Sequence, residues 1–318
     1  MPTLTATADN IDRAAALLRS GAVVAFPTET VYGLGADAFD ARAVARIFEI
    51  KARPTFDPLI VHVVSEAMLA RVADAVPARA RTLIEYFWPG PLTLVLRKRA
   101  EIPALVSAGL ETVAVRMPAH PVARALIECA ETPLAAPSAN PFGYLSPTRA
   151  EHVAEMLGER VDCILDGGAT EHGVESTIVM LEPEPTLLRP GAIAVEAIEA
   201  VIGPLVREIS DEARPLAPGR LEQHYAPHTR VRIVDDAALV PSSERAGAAL
   251  LAFHRAPEGY GEVRVLSERG DLREAAAHLF EYLHELDRSG VARIDAERVP
   301  SEGIGLAIND RIERAAVR

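Results

Sequence analysis

The chain has 318 residues, which at roughly 150 residues per domain favours two domains over one. Hydrophobic residues make up 49% and charged residues 25%, an ordinary globular mix that excludes disorder for the bulk of the chain. The 33 basic and 45 acidic residues leave a net charge of −12, which excludes a surface given over to nucleic acid but allows a local basic pocket. At the N-terminus, residues 1–10 have neither the basic nor the apolar region of a signal peptide. No apolar run approaches the roughly 18 residues that a bilayer span requires. Cys129 and Cys163 show no disulfide framework and no metal-type spacing, as suits a reducing compartment. A cytoplasmic protein is expected. Only Lys51 and Lys98 are lysines among the 33 basic residues, and Lys51 sits beside a helix end, close to Arg53.

The hydrophobic pattern then alternates as in an α/β protein. Asp9 and Asn10 are expected to cap a helix that runs through Arg19 and stops near Gly21, before a strand over 22–26. Helices are predicted over 41–51, 78–87 and 121–130, with strands over 59–64, 92–96, 112–117 and near Leu134. Ser146 with Pro147 behind it reads as the cap of a further helix. Strands over 161–165, 177–181 and 186–189 follow. Breaker residues at 213–220 mark a linker, beyond which the pattern restarts with strands over 231–234, 248–253 and 263–266 and a helix over 272–287. This gives domains at 1–207 and 230–318, joined by a linker at 208–229.

Two apparent motifs are decoys. Gly33-Leu34-Gly35-Ala36-Asp37-Ala38 fits the loose dinucleotide pattern, but Pro27-Thr28-Glu29-Thr30 separates it from the strand that should run directly into its first glycine. His224 and His228 have helical metal spacing, yet Pro227 lies between them. What remains is a series of segments with polar groups at element ends. They are 27–35, Lys51 to Pro54 with Asp57 to His62, 88–93, 113–118, 136–140 with 146–148, 175–177 and 188–191. Each alone can be a turn or a packed side chain. Together they place Lys51, Arg53, Arg116 and Arg189 where α/β ligand sites form, with hydroxyls and an amide but no pair of carboxylates. That equipment holds a polyanion such as a nucleoside triphosphate, and it disfavours a hydrolase that needs two carboxylates.

In this order the segments resemble the YrdC-like family of L-threonylcarbamoyladenylate synthases, in its long form with an additional C-terminal domain. The most specific strings are 27–35 and Pro58-Leu59-Ile60-Val61-His62; Lys51 and Arg53 with Ser138 and Asn140 match the family's functional tetrad. Residues 221–227 resemble the long form's linker signature, and 303–311 the end of its second domain. The resemblance implies a twisted mixed-sheet α/β domain with a concave active-site cavity, and a small Rossmann-like α/β C-terminal domain. It implies a nucleotidyltransferase that joins L-threonine, bicarbonate or CO2, and ATP into threonylcarbamoyl-AMP with release of pyrophosphate. Mg²⁺ would accompany the ATP, held mainly by phosphate oxygens rather than by the protein. A separate tRNA threonylcarbamoyltransferase complex would take the adenylate, for the modification of tRNA beside its anticodon.

By the same resemblance Thr30, His62, Arg116, Ala136 (through its backbone) and Ser176 would hold L-threonine, with Arg116 as the carboxylate partner. Lys51, Arg53, Ser138, Asn140, Ser146 and Arg189 would hold ATP or the reacting carbamate, and Thr112 or Val113 would meet the nucleotide through main chain. Tyr225 would close over the nucleotide from the linker. One departure is Asp57, where the family usually has Asn; a carboxylate there repels a triphosphate unless Mg²⁺ or Arg53 compensates. The alternative from another class is an RNA-binding module, against which the acidic charge and 5% aromatic content weigh, so direct tRNA binding is expected to be weak or absent. Related carbamoyltransferases carry acylphosphatase and zinc-finger segments, and nothing here matches them.

Overall fold

The computed structural model describes residues 2–207, 216–219 and 225–317. Amphipathic helices alternate with short apolar strands from the start: β1 (Thr3–Thr5), α1 (Ala8–Arg19), β2 (Val24–Phe26), β3 (Gly33–Asp37), α2 (Ala41–Lys51) and β4 (Ile60–His62). Next come α3 (Glu66–Val72), α4 (Ala78–Phe87), β5 (Leu92–Arg97), β6 (Thr112–Arg116), α5 (Pro121–Ala130) and β7 (Leu134–Ala135). The first sheet is completed through α6 (Ala150–Leu157), β8 (Cys163–Asp166), β9 (Thr177–Met180), β10 (Thr186–Arg189), α7 (Val195–Ile202) and β11 (Val206–Arg207). It is an eleven-stranded mixed sheet in the order β1-β8-β2-β3-β7-β4-β6-β5-β9-β10-β11.

A second sheet uses β12 (Arg230–Val234), β13 (Ala248–Ala252), β14 (Glu262–Val265) and β15 (Arg293–Glu297), with α8 (Ser242–Arg245), α9 (Leu272–Arg288) and α10 (Gly305–Ala316) around it. All its pairings are parallel, with β15 inserted between β12 and β13. Among the described residues no helix is long and apolar enough to cross a membrane.

Several expectations need correction. Thr7, not Asp9 or Asn10, caps α1: its Oγ1 accepts from the Asn10 N–H at 3.4 Å, and the two expected caps lie inside the first turn. Ser146 caps no helix, because α6 starts at Ala150 and the buried Ser146 hydroxyl donates to Glu175 Oε1 at 2.6 Å. The glycine-rich decoy is strand β3, antiparallel to β2. A Cβ on Gly35 would lie 2.6 Å from the Phe26 ring, so glycine here makes room for an aromatic side chain and cradles no phosphate. β15 escaped the sequence reading because its centre is Asp295, fully buried and held by Arg232 and Arg293 at 2.8 and 2.7 Å. The signature residues 221–224, with His224, and the breakers 213–215 and Arg220 lie outside the described residues.

The two sheets' layers share a core. Val31, Leu145 and Val174 cluster with Tyr225 and with the inner faces of α9 and α10. The approach is close enough that a Cβ on Gly173 would meet the Ala276 carbonyl at 2.3 Å. Ion pairs rim the contact, Arg149 with Glu281 at 2.7 Å and Arg288 with Glu155.

Candidate active site

The adjacent parallel strands β4 and β6 pair His62 with Arg116 at their C-terminal ends, the edge where α/β sheets bind ligands. The turn between β2 and β3 is fixed by Thr28, whose Oγ1 donates to Val31 O at 2.7 Å and lies 2.8 Å from Thr30 Oγ1. Buried Arg116 donates from Nη1 to Thr30 Oγ1 at 2.9 Å and from Nε to Gly90 O at 3.2 Å, and its Nη2 lies 2.5 Å from Glu29 Oε1. Burial opposes the charge of Glu29, but the Arg116 guanidinium outweighs it and holds the carboxyl below its usual range. Burial, reinforced by Arg116, pushes His62 down to about 3, so its imidazole is neutral at pH 7. Its Nδ1 is buried without a protein partner.

On the other side, Arg189 spans the wall. Its Nη2 donates to Ser176 O at 2.9 Å and Ser176 Oγ at 3.2 Å, while Nη1 reaches Pro218 O at 3.3 Å. Ser176 Oγ also lies 2.7 Å from Thr93 Oγ1. The 175–177 backbone is pinned by Gly191, where a Cβ would sit 2.3 Å from the Thr177 nitrogen. Arg53 donates to Asp57 O at 3.1 Å and Pro58 O at 2.9 Å, and its Nη2 lies 2.9 Å from Asp57 Oδ2. Arg53 thus pairs with the Asp57 carboxylate from within its own loop, although burial outweighs the Arg53 charge and raises the Asp57 carboxyl above its usual range. Tyr225, with φ 63° and buried, lines the cavity together with Gly219; burial raises its phenol to about 12.

Of the residues expected from sequence, Thr30, Arg53, His62, Arg116, Ala136, Ser138, Ser176, Arg189 and Tyr225 line one cavity. Lys51, Asp57, Asn140 and Ser146 are buried behind the cavity lining, and Val113, on β6, is packed into the hydrophobic core. Lys51 Nζ donates to the carbonyls of Ser138 (2.6 Å) and Asn140, so it fixes the loop whose Ser138 faces the cavity. Burial pulls the Lys51 ammonium well below its ordinary pKa. Asn140 donates to Pro141 O and Tyr144 O, both at 2.9 Å, and leaves its Oδ1 buried without a partner.

Glu175, a cavity wall residue, and its partner Arg311 were missed as site residues. Both stand in strings already singled out, but no sequence signal pairs residues 136 positions apart. Glu175 in the cavity wall and the buried carboxylates Glu29 and Asp57 behind it each have an arginine: Glu175 with Arg311, Glu29 with Arg116 and Asp57 with Arg53.

Arg53, Arg116 and Arg189 thus face one cavity with hydroxyls and a neutral imidazole between them. Among the described residues no three His, Cys, Asp or Glu side chains group to hold a metal. The arrangement suits binding and charge stabilisation of several anionic groups, without a protein nucleophile.

Residues 16–191 match the family model described as Telomere recombination, and residues 193–317 match that of the threonylcarbamoyl-AMP synthase C-terminal domain. The chain is 46% identical over 319 residues to the threonylcarbamoyl-AMP synthase of Pyrococcus abyssi, covering 95% of this chain and 93% of the relative. It is 44% identical over 320 residues to that of Bacillus subtilis, covering 96% and 92%. A crystal structure of P. abyssi Sua5 complexed with L-threonine superposes with a TM-score of 0.91 at 43% identity, covering 98% of this chain and 95% of that one. The E. coli YciO structure matches 58% of this chain and 90% of its own, with a TM-score of 0.52 at 26% identity.

Proposed function

The chain belongs to the threonylcarbamoyl-AMP synthase family, and we propose that its cavity joins L-threonine, bicarbonate or CO2, and ATP into threonylcarbamoyl-AMP and pyrophosphate. The observation that supports this best is the convergence of Arg53, Arg116 and Arg189 on one cavity that also presents Thr30, neutral His62 and Ser176. Threonine's amine takes up CO2 with loss of a proton, and a carbamate oxygen then attacks the α-phosphorus of ATP as pyrophosphate leaves. Carboxylate, carbamate and triphosphate repel one another at a few ångströms, and fixed guanidinium groups offset that repulsion in a water-poor site.

In this reading Arg116, with Thr30, His62, Ser176 and the Ala136 backbone, holds L-threonine. The buried Nδ1 of His62 is free to meet a polar group of the amino acid. Arg53, Arg189 and Ser138 face the phosphates and the carbamate, and Tyr225 covers the nucleotide. Lys51, Asn140 and Ser146 act from behind the cavity lining. ATP enters as its Mg²⁺ complex; because the carboxylates in and behind the cavity wall are taken by arginines, phosphate oxygens and water hold that ion. The adenylate passes to a separate tRNA-modifying complex.

Mass spectrometry of the reaction tests the proposal. The product is expected to be an anhydride of N-carboxythreonine and AMP, one mass unit heavier when made from ¹³C-bicarbonate. Formation of AMP alone, with no labelled product, would contradict it.

A further inference from the structure

The string 303–311 gains a purpose once α10 is placed. Gly305 passes so near the chain before it that a Cβ would lie 1.8 Å from Pro300 O. Asn309 fastens the same turn, accepting from the Val299 N–H at 3.0 Å and donating to Val299 O at 2.8 Å. These contacts fix the start of α10, and the side chain they aim is Arg311, 0% exposed. Its Nε donates to Glu175 Oε2 at 2.8 Å and its Nη2 to Pro190 O at 3.0 Å, while Nη1 meets Asp310 Oδ2 at 2.5 Å. The guanidinium also lies 5.1 Å from the centre of the Tyr225 ring.

We propose that Arg311 is a positioning residue of the nucleotide site, supplied from the second sheet's layer to neutralise the cavity carboxylate Glu175 and to seat Tyr225. This assignment rests on reading the cavity as an ATP site. A lone carboxylate in the wall would oppose a triphosphate; Arg311 on Oε2 and Ser146 on Oε1 occupy both of its oxygens. Although burial would raise the Glu175 pKa, Arg311 and Arg189 hold it down at about 2, so with both arginines in place the group is anionic at pH 7. The Pro190 contact carries the same restraint to the residue beside Arg189. The second layer thereby contributes to the chemistry without touching substrate.

Calorimetric titration of the full chain with ATP and, separately, with L-threonine tests this, with thermal melts to verify folding. Arg311→Met is expected to weaken ATP binding at least tenfold and to leave threonine binding within twofold of wild type. The double variant E175Q/R311M, which removes the stranded charge, is expected to recover ATP binding to within threefold of wild type. Arg311→Lys, which keeps the charge, is expected to bind ATP more tightly than Arg311→Met. ATP binding by Arg311→Met within twofold of wild type would overturn the assignment, as would a double variant no better than the single. If Arg311→Met does not fold, the double variant against wild type decides, and a tenfold loss of ATP affinity there counts against the proposal. No ATP binding by wild type would count against the reading of the site itself.

Discussion

In the proposed site Lys51 acts on the Ser138 loop without facing the cavity. Its ammonium bridges the carbonyls of Ser138 and Asn140, so Lys51→Ala strands two buried acceptors at a cost of about 1–3 kcal/mol each. Adenylate formation is expected to fall on the order of 100-fold through the displaced Ser138 loop, with the protein still folded by circular dichroism. Turnover like that of wild type would remove Lys51 from the account. Asp57 is the opposite case, since its carboxylate spends itself on Arg53 at 2.9 Å. Asp57→Asn frees positive charge toward the phosphates, so the ATP dissociation constant should fall or hold, and a tenfold rise would show that Asp57 itself contacts the nucleotide. For Arg116 the fork is the point: it reaches Thr30, Gly90 O and Glu29 together. Arg116→Lys cannot span all three and should raise the KM for L-threonine by about tenfold, leaving that for ATP nearly unchanged. Equal effects on both KM values would contradict the division of the cavity.

Elements with a clean period were legible in the sequence. The bounds of α2, α4 and α5 fall where the apolar spacing and end signals put them. Elements whose polarity is explained only by distant partners were hidden. β15 carries buried Asp295 because Arg232 and Arg293 come to meet it, and β3 is glycine-rich because Phe26 crosses it. Ser146 looked like a cap because local spacing cannot reveal a Glu175 carboxylate 29 residues on. The candidate site divides in the same way. The cations and hydroxyls at strand ends, and Arg53 as a partner for Asp57, could be read from one sequence, whereas the pairing of Glu29 with Arg116 and of Glu175 with Arg311 needed three dimensions. At Gly305 the packing makes a sharp prediction. Gly305→Ala must push a methyl group into Pro300 O, overpacking that costs about 1–3 kcal/mol. The melting midpoint should drop by about 5 °C, and an unchanged midpoint would mean that α10 is less firmly seated than its contacts indicate.

Across the whole molecule, the two layers meet over buried histidines. Burial, together with the facing His284 ring and Arg288, holds His152 at about 3, and burial holds His284 at about 4. The rings stack at 4.2 Å, and His284 Nε2 lies 3.1 Å from Ser146 O behind the cavity. Below the ordinary value of 6.5 the unfolded chain takes up protons that these folded rings refuse. Stability is therefore full above about pH 6.5 and declines as the pH falls toward 4 and then 3, by up to about 1.4 kcal/mol per pH unit per ring. Glu175 adds to this at lower pH, since its stabilisation is lost as the pH falls from its unfolded value near 4.5 toward 2. Urea midpoints should fall between pH 6.5 and 4, and His284→Asn should flatten that slope; identical slopes would remove the histidines from the explanation. Ending the chain at Arg207 would strip Tyr225 and Arg311 from the cavity and uncover Val31, Leu145 and Val174. Such a protein should turn over at least tenfold more slowly than the full chain. The central claim is that one cavity brings three anionic partners together. It is tested most directly by pyrophosphate release from ATP, with L-threonine and bicarbonate each present or omitted. Release that requires both is the predicted result, and release that is indifferent to threonine, or absent with all three present, would contradict it.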